Sequence, residues 1–200
     1  MSGFLLTDQF SESIDGHAIN PHFANVLRVL DMCESAENGA EQFNAIDQHF
    51  FVDSSWTTQK DDVNMALGLF IKFMSAYNKT EEGAPDSGAT PPRQNMCFRF
   101  DAPEIYADFM REYDICLSKV EYLHWHEFLL LLNDLSSDSR LKQKVDLRFK
   151  NLADIKDPRQ RSVIQKAKDA VQIPVKLSEA ELEHIDDILA IMASSRDRLK

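Results

Sequence analysis

The sequence predicts a mainly α protein, a multi-helix bundle with a small N-terminal β-hairpin. Three observations predict it. Apolar residues recur at i, i+3, i+4 spacing through most segments. Helix-start signals, a Ser or Asp with an acid three residues on, punctuate the chain. The 200 residues hold only six glycines and no alternation of strand and helix patterns, which argues against nucleotide-binding α/β architectures.

Taken in order, "FSESIDGHAIN" alternates around Asp15-Gly16, the strongest short-range hairpin signal. Asn20-Pro21 supplies an N-cap and a proline for a first helix carrying Phe23, Val26, Leu27 and Leu30. Gly39 ends or interrupts that helix, and Phe43, Ile46, Phe50 and Phe51 form the next apolar set. Thr58 is a cap for a third helix, with a stripe of Val63, Ala66, Leu67, Phe70, Ile71 and Met74. Asp101, Pro103 and Glu104 start a helix bearing Ile105, Phe109 and Tyr113, and Ser118 with Glu121 forms a capping box for the next. Asp157-Pro158 opens a basic helix through Val163, Ile164, Ala167 and Val171. Pro174 separates it from a last helix, begun by Ser178 and Glu181, through Leu182, Ile185, Ile188, Leu189 and Met192.

Residues 78–95, "NKTEEGAPDSGATPPRQN", are rich in Pro, Gly, Thr and acid and read as a linker or long mobile loop. They divide an N-terminal helical part with the hairpin, 1–77, from a C-terminal helical part, 96–200. No apolar run reaches the roughly 18 residues that cross a bilayer, and "MSGFLLTDQF" lacks a basic segment followed by a long apolar one. A soluble, unexported protein is the expectation. Cys33, Cys97 and Cys116 are odd in number and without CxxC pairing, which fits a reducing compartment and small apolar core residues.

The net charge of −11 disfavours attraction to nucleic acid or anionic membrane. The charge is uneven. From Arg140 through Asp169 there are ten Lys and Arg against four Asp, an excess of +6 that leaves −17 on the remainder. A solvated helical face accounts for such a stretch; so does a docking patch for an acidic partner or phosphate. Its Lys142, Lys144, Arg148, Lys150, Arg159 and Arg161 are the candidate partner-binding or self-association residues.

"LHWHEFLLLLND", residues 123–134, offers the densest candidate site. On a helix His124 and His126 stand about 200° apart and cannot chelate one ion. Glu121 with His124 and Glu181 with His184 have the spacing by which bundles hold carboxylate-bridged irons, yet both glutamates fall in capping boxes at helix ends rather than mid-bundle. A helix from Ser118 to Leu135 would be apolar almost all round, so it reads as the central helix of a core, with Trp125 packed on Phe128 and the histidines as flanking polar neighbours. Glu127 is placed to pair with His124 on the exposed strip. No Gly-rich phosphate loop, GxSxG elbow, HExxH or EF-hand loop is present. The expectation is a non-enzyme with no catalytic, cofactor or metal residues.

The run from Phe98 to Arg148 resembles the bacteriophage gene-product-fifteen family, tail proteins of long-tailed phages of the tail-assembly-chaperone type. The matching residues are Asp101, Ile105, Tyr106, Ala107, Phe109, Tyr113, Asp114, Leu123, His124, Trp125, Phe128, Leu131, Leu132 and Arg148. "SIDGHAINPHFANVLRVLD" is similar to the family's opening, so the resemblance reaches to about residue 150. His126 departs from the aromatic expected there, and 78–95 has no counterpart. The resemblance implies a chaperone that coats the tape-measure protein in the host cytoplasm until tube protein polymerises, with self-association and the major tail protein as further contacts. The alternatives are a structural tail component retained in the virion and, more remotely, a helical di-iron carboxylate enzyme. A long amphipathic tape measure would aggregate if left bare, and a helical protein with apolar grooves and strong net charge suits covering it.

Overall fold

Asp15 (φ 48°) and Gly16 (φ 86°) supply the two left-handed residues of a tight hairpin turn. They join β1 (Ser13–Ile14) to β2 (His17–Ala18), antiparallel with Ser13 opposite Ala18 and Ile14 opposite His17. Lys72 holds the Asp15 carboxylate at 2.6 Å. The computed structural model describes residues 10–52, 56, 59–76 and 96–174. The chain divides into two compact units, Met1–Lys150 and Asn151–Lys200. The described residues carry seven α-helices and this two-stranded sheet, a mainly α fold as the sequence predicts. None of the described helices is long and apolar enough to cross a membrane.

In the first unit, α1 (Phe23–Ser35) begins later than Asn20-Pro21 predicts. The Asn20 N–H donates to Phe50 O and the Pro21 carbonyl accepts from Trp125 N, each at 2.7 Å, which keeps both residues extended. His22 caps instead, its Nδ1 accepting from Ala24 N at 3.2 Å. Gly39 opens α2 (Gly39–His49), where Asn38 accepts from Ala40 N and Glu41 N and Glu41 reaches back to Glu37 N. α3 (Lys60–Ser75) starts after Gln59, whereas Thr58 lies outside the described residues. Its inward face is Ala66, Leu69, Phe70 and Phe73, turned from the predicted stripe so that Ile71 is 64% exposed. The turn follows Phe73, whose ring packs on Phe50 at 4.9 Å and on His126 at 4.6 Å.

α4 (Ala102–Tyr113) starts where Asp101 and Pro103 predict and ends at left-handed Asp114 (φ 56°). α5 (Trp125–Asp134) starts well after the Ser118 and Glu121 box. Long-range pairing overrides the local signal. Phe23 N donates to Leu123 O at 2.9 Å, Trp125 N donates to Pro21 O, and His22 lies opposite His124, so residues 122–124 run extended beside 21–23. α6 (Arg140–Phe149), capped by Ser139 through Lys142 N, has no counterpart among the predicted helix starts.

Phe128 is the centre of the core, stacked on Phe23 at 5.1 Å, Phe109 at 5.2 Å and Trp125 at 5.7 Å. Elements from both sides of residues 78–95 therefore share one core, and the compact units meet in sequence at Lys150 and Asn151 instead. Residues 78–94 of the predicted linker, and Asn95, lie outside the described residues. In the second unit a 3-10 turn, Leu152–Asp154, precedes α7 (Pro158–Ala170), which Asp157 caps through Arg159 N at 2.9 Å as its sequence predicts. The predicted last helix from Ser178 lies outside the described residues.

Candidate partner-binding surface

Two of the six basic residues singled out from sequence are committed to the interior. Arg148, 5% exposed, donates from Nη1 to Asp101 Oδ2 at 2.8 Å and from Nη2 to Asp101 Oδ1 at 2.5 Å. Lys144 pairs with Asp101 at 2.9 Å and Glu104 at 3.0 Å, and its ammonium lies 4.4 Å from the Phe100 ring. Burial alone would raise the Asp101 carboxyl, but Arg148, the Cys97 N–H and Lys144 outweigh it and hold the carboxyl below the usual carboxylate range. Asp101 therefore stands at the predicted helix start yet makes no side-chain cap; it ties α4 to α6. These two cations are removed from any exposed patch because a buried carboxylate needs compensating charge. Lys142 is half-buried and donates to Asn133 O at 3.1 Å. Lys150 is exposed on the first unit. Arg159 and Arg161 are exposed on the second, where the Arg161 guanidinium donates to Ile155 O at 2.7 Å.

The histidines are not flanking residues. His124 and His126 are 2% and 3% exposed, and their rings lie 5.2 Å apart. The expected angular separation on a helix does not apply, because His124 is the extended N-cap of α5 and only His126 is helical. Carbonyls can only accept, so Nε2 carries the proton on both rings. His124 Nε2 donates to Ser11 O at 3.3 Å and His126 Nε2 to Phe73 O at 3.0 Å, while His124 Nδ1 accepts from His126 N at 3.1 Å. His124 thus bonds Ser11 rather than the Glu127 expected from sequence. Burial depresses both imidazoles, His126 to about 4, so both are neutral at pH 7. Phe10 stacks on His124 at 4.8 Å. Among the described residues no group of three or more His, Cys, Asp or Glu is placed to hold a metal ion; Glu181 and His184 lie outside them.

The feature that sequence reasoning missed is a groove of about 900 Å³ beside α1. Phe23, Leu27 and Leu30 of α1 form one wall, Phe98 and Leu117 the other, and Met74 contributes from the end of α3. Leu27, Leu30, Met74, Phe98 and Leu117 are each half-buried and packed against the core. Arg28, Asp31 and Glu34 rim the α1 wall, and Asp31 pairs with Arg99 of the facing wall. The apolar stripe on α1 is broader than one packing partner covers, and that breadth is the sequence signal that marks such a face. Chemically the groove offers apolar surface with a charged border, the arrangement that accepts the apolar stripe of a helix.

Comparison with known proteins connects this arrangement to a family. No curated protein and no solved structure matches the chain. The family model described as Bacteriophage Gp15 protein matches residues 6–173, a span that takes in the groove, the buried Asp101 and Arg148 pair, and the Trp125 core. The chain therefore belongs to the Bacteriophage Gp15 protein family.

Proposed function

We propose that this protein acts in phage tail assembly, binding the tape-measure protein in the host cytoplasm and keeping it soluble until the tail tube polymerises around it. In this reading it is a binding protein that performs no chemistry. Family membership supports a structural or assembly role. The observation that carries the finer reading is the groove beside α1, whose apolar walls of Phe23, Leu27, Leu30, Phe98 and Leu117 with their charged border suit the apolar stripe of an amphipathic helix. The net charge of −11 would keep a coated, otherwise sticky helix dispersed. Lys150, Arg159 and Arg161 are secondary contacts, toward a second copy or the major tail protein.

The test is co-expression with the tape-measure protein. The wild-type chain is expected to raise its soluble fraction and to co-elute with it in gel filtration. Leu27→Asp and Leu30→Asp, at half-buried wall positions, are expected to weaken that complex at least tenfold while the far-ultraviolet circular dichroism is retained. A tape measure no more soluble with the protein than without it overturns the proposal. Mass spectrometry of purified particles separates the chaperone from a virion component, because a chaperone leaves before the particle matures.

A further inference from the structure

Away from the groove, α7 is the amphipathic element with the least cover. None of its 13 residues is buried, and Val163 is 67% exposed. At 100° per residue Val163, Ile164 and Ala167 form one stripe, with Arg159 and Lys166 along one border and Arg161 along the other. A 13-residue helix with no buried residue, its Ile164 and Ala167 only half-covered, is marginal in water. Its stripe therefore calls for an occupant that is apolar in the centre and acidic at the edges.

The sequence just beyond α7 has that character. Between Ser178 and Met192 there are Glu179, Glu181, Glu183, Asp186 and Asp187 and no Lys or Arg, while Leu182, Ile185, Leu189 and Met192 recur at the spacing of a helical stripe. Seven residues, 171–177, separate Ala170 from Ser178, a reach of about 25 Å. The 13 residues of α7 span about 20 Å, so the connection is long enough to bring the segment back along the whole helix. We propose that α7 is a docking face whose occupant is the chain's own residues 178–192, held by apolar contact and by opposite charge. An acidic partner that uses α7 must then displace this segment, which makes the face self-covered until a competitor arrives.

Hydrogen exchange of the full-length chain tests this. Amides of residues 158–170 are expected to be protected, and the combined Leu182→Asp, Ile185→Asp and Leu189→Asp variant is expected to lose at least tenfold of that protection. Exchange in α1 to α6 serves as the internal control that the chain still folds. Arg159→Glu with Lys166→Glu is expected to give a partial loss, restored by Glu179→Lys with Asp186→Lys, the acids that border the 182–192 stripe seven residues apart as Arg159 and Lys166 are. Protection of 158–170 that is indifferent to all these changes overturns the proposal. Protection that grows with protein concentration assigns the face to a second copy and overturns it equally.

Discussion

His126 fills a position where its ring packs on Phe73 at 4.6 Å and lies 6.2 Å from Phe10, so it serves as an aromatic that also donates a hydrogen bond. Its departure from the expected aromatic residue is thereby accounted for. The same burial sets a pH dependence. The native imidazole binds its proton only near pH 4, whereas the unfolded one binds near 6.5. Below 6.5 the unfolded chain takes up more protons, so stability falls as pH drops from about 6.5 toward 4, by roughly 3 kcal/mol in all. His126→Phe is expected to remove most of that slope in urea unfolding at a series of pH values, leaving a remainder from His124, whose shift has the same sign. Asp101 acts in a separate window. Its folded pKa is depressed, so its contribution is present above pH 4 and is lost as pH falls through the folded value. Arg148→Ala strands that carboxylate in the interior with Lys144 as its remaining ion-pair partner, and is expected to cost about 3–5 kcal/mol in equilibrium unfolding.

The elements divide by whether their signals are local. The hairpin, α4 and α7 were legible because Asp15-Gly16, Asp101 with Pro103, and Asp157-Pro158 act within a few residues of themselves. The hairpin's dependence on Gly16 is conformational alone, since a Cβ there would meet nothing within 4 Å. Gly16→Ala is accordingly expected to cost about 1–2 kcal/mol, measured by thermal unfolding. The start of α5 was misplaced because pairing of residues 21–23 with 122–124 withdraws Leu123 and His124 from the helix, and a capping box carries no information about a strand distant in sequence. α6 was missed because its charged residues dominate the pattern. Only Leu141 and Arg148 of it are buried, and Arg148 looks polar until Asp101 is placed opposite it.

At the scale of the whole molecule, the sequence disclosed that Trp125 and Phe128 belong to a core but not that Phe23 and Phe73 complete it from the other side of residues 78–95. The basic stretch illustrates the same limit. Lys144 and Arg148 are indistinguishable from Lys150 in a charge count, yet their partners come from a different helix. The groove was illegible because its facing wall, residues 97–99 with Leu117, has no periodicity to announce it. Since Trp125 packs on both Phe98 and Phe128, Trp125→Ala is expected to cost about 3–5 kcal/mol, with the loss of near-ultraviolet dichroism reporting a loosened core across both parts.

The backbone bonds from Phe23 to Leu123 and from Trp125 to Pro21 join stretches about a hundred residues apart. During synthesis α1 must wait, its phenylalanine uncovered, until the ribosome has released the chain past Phe128. A nascent or truncated product that stops short of that point presents an open apolar face to the cell, and it should pellet or be captured by host folding factors where the finished chain does not.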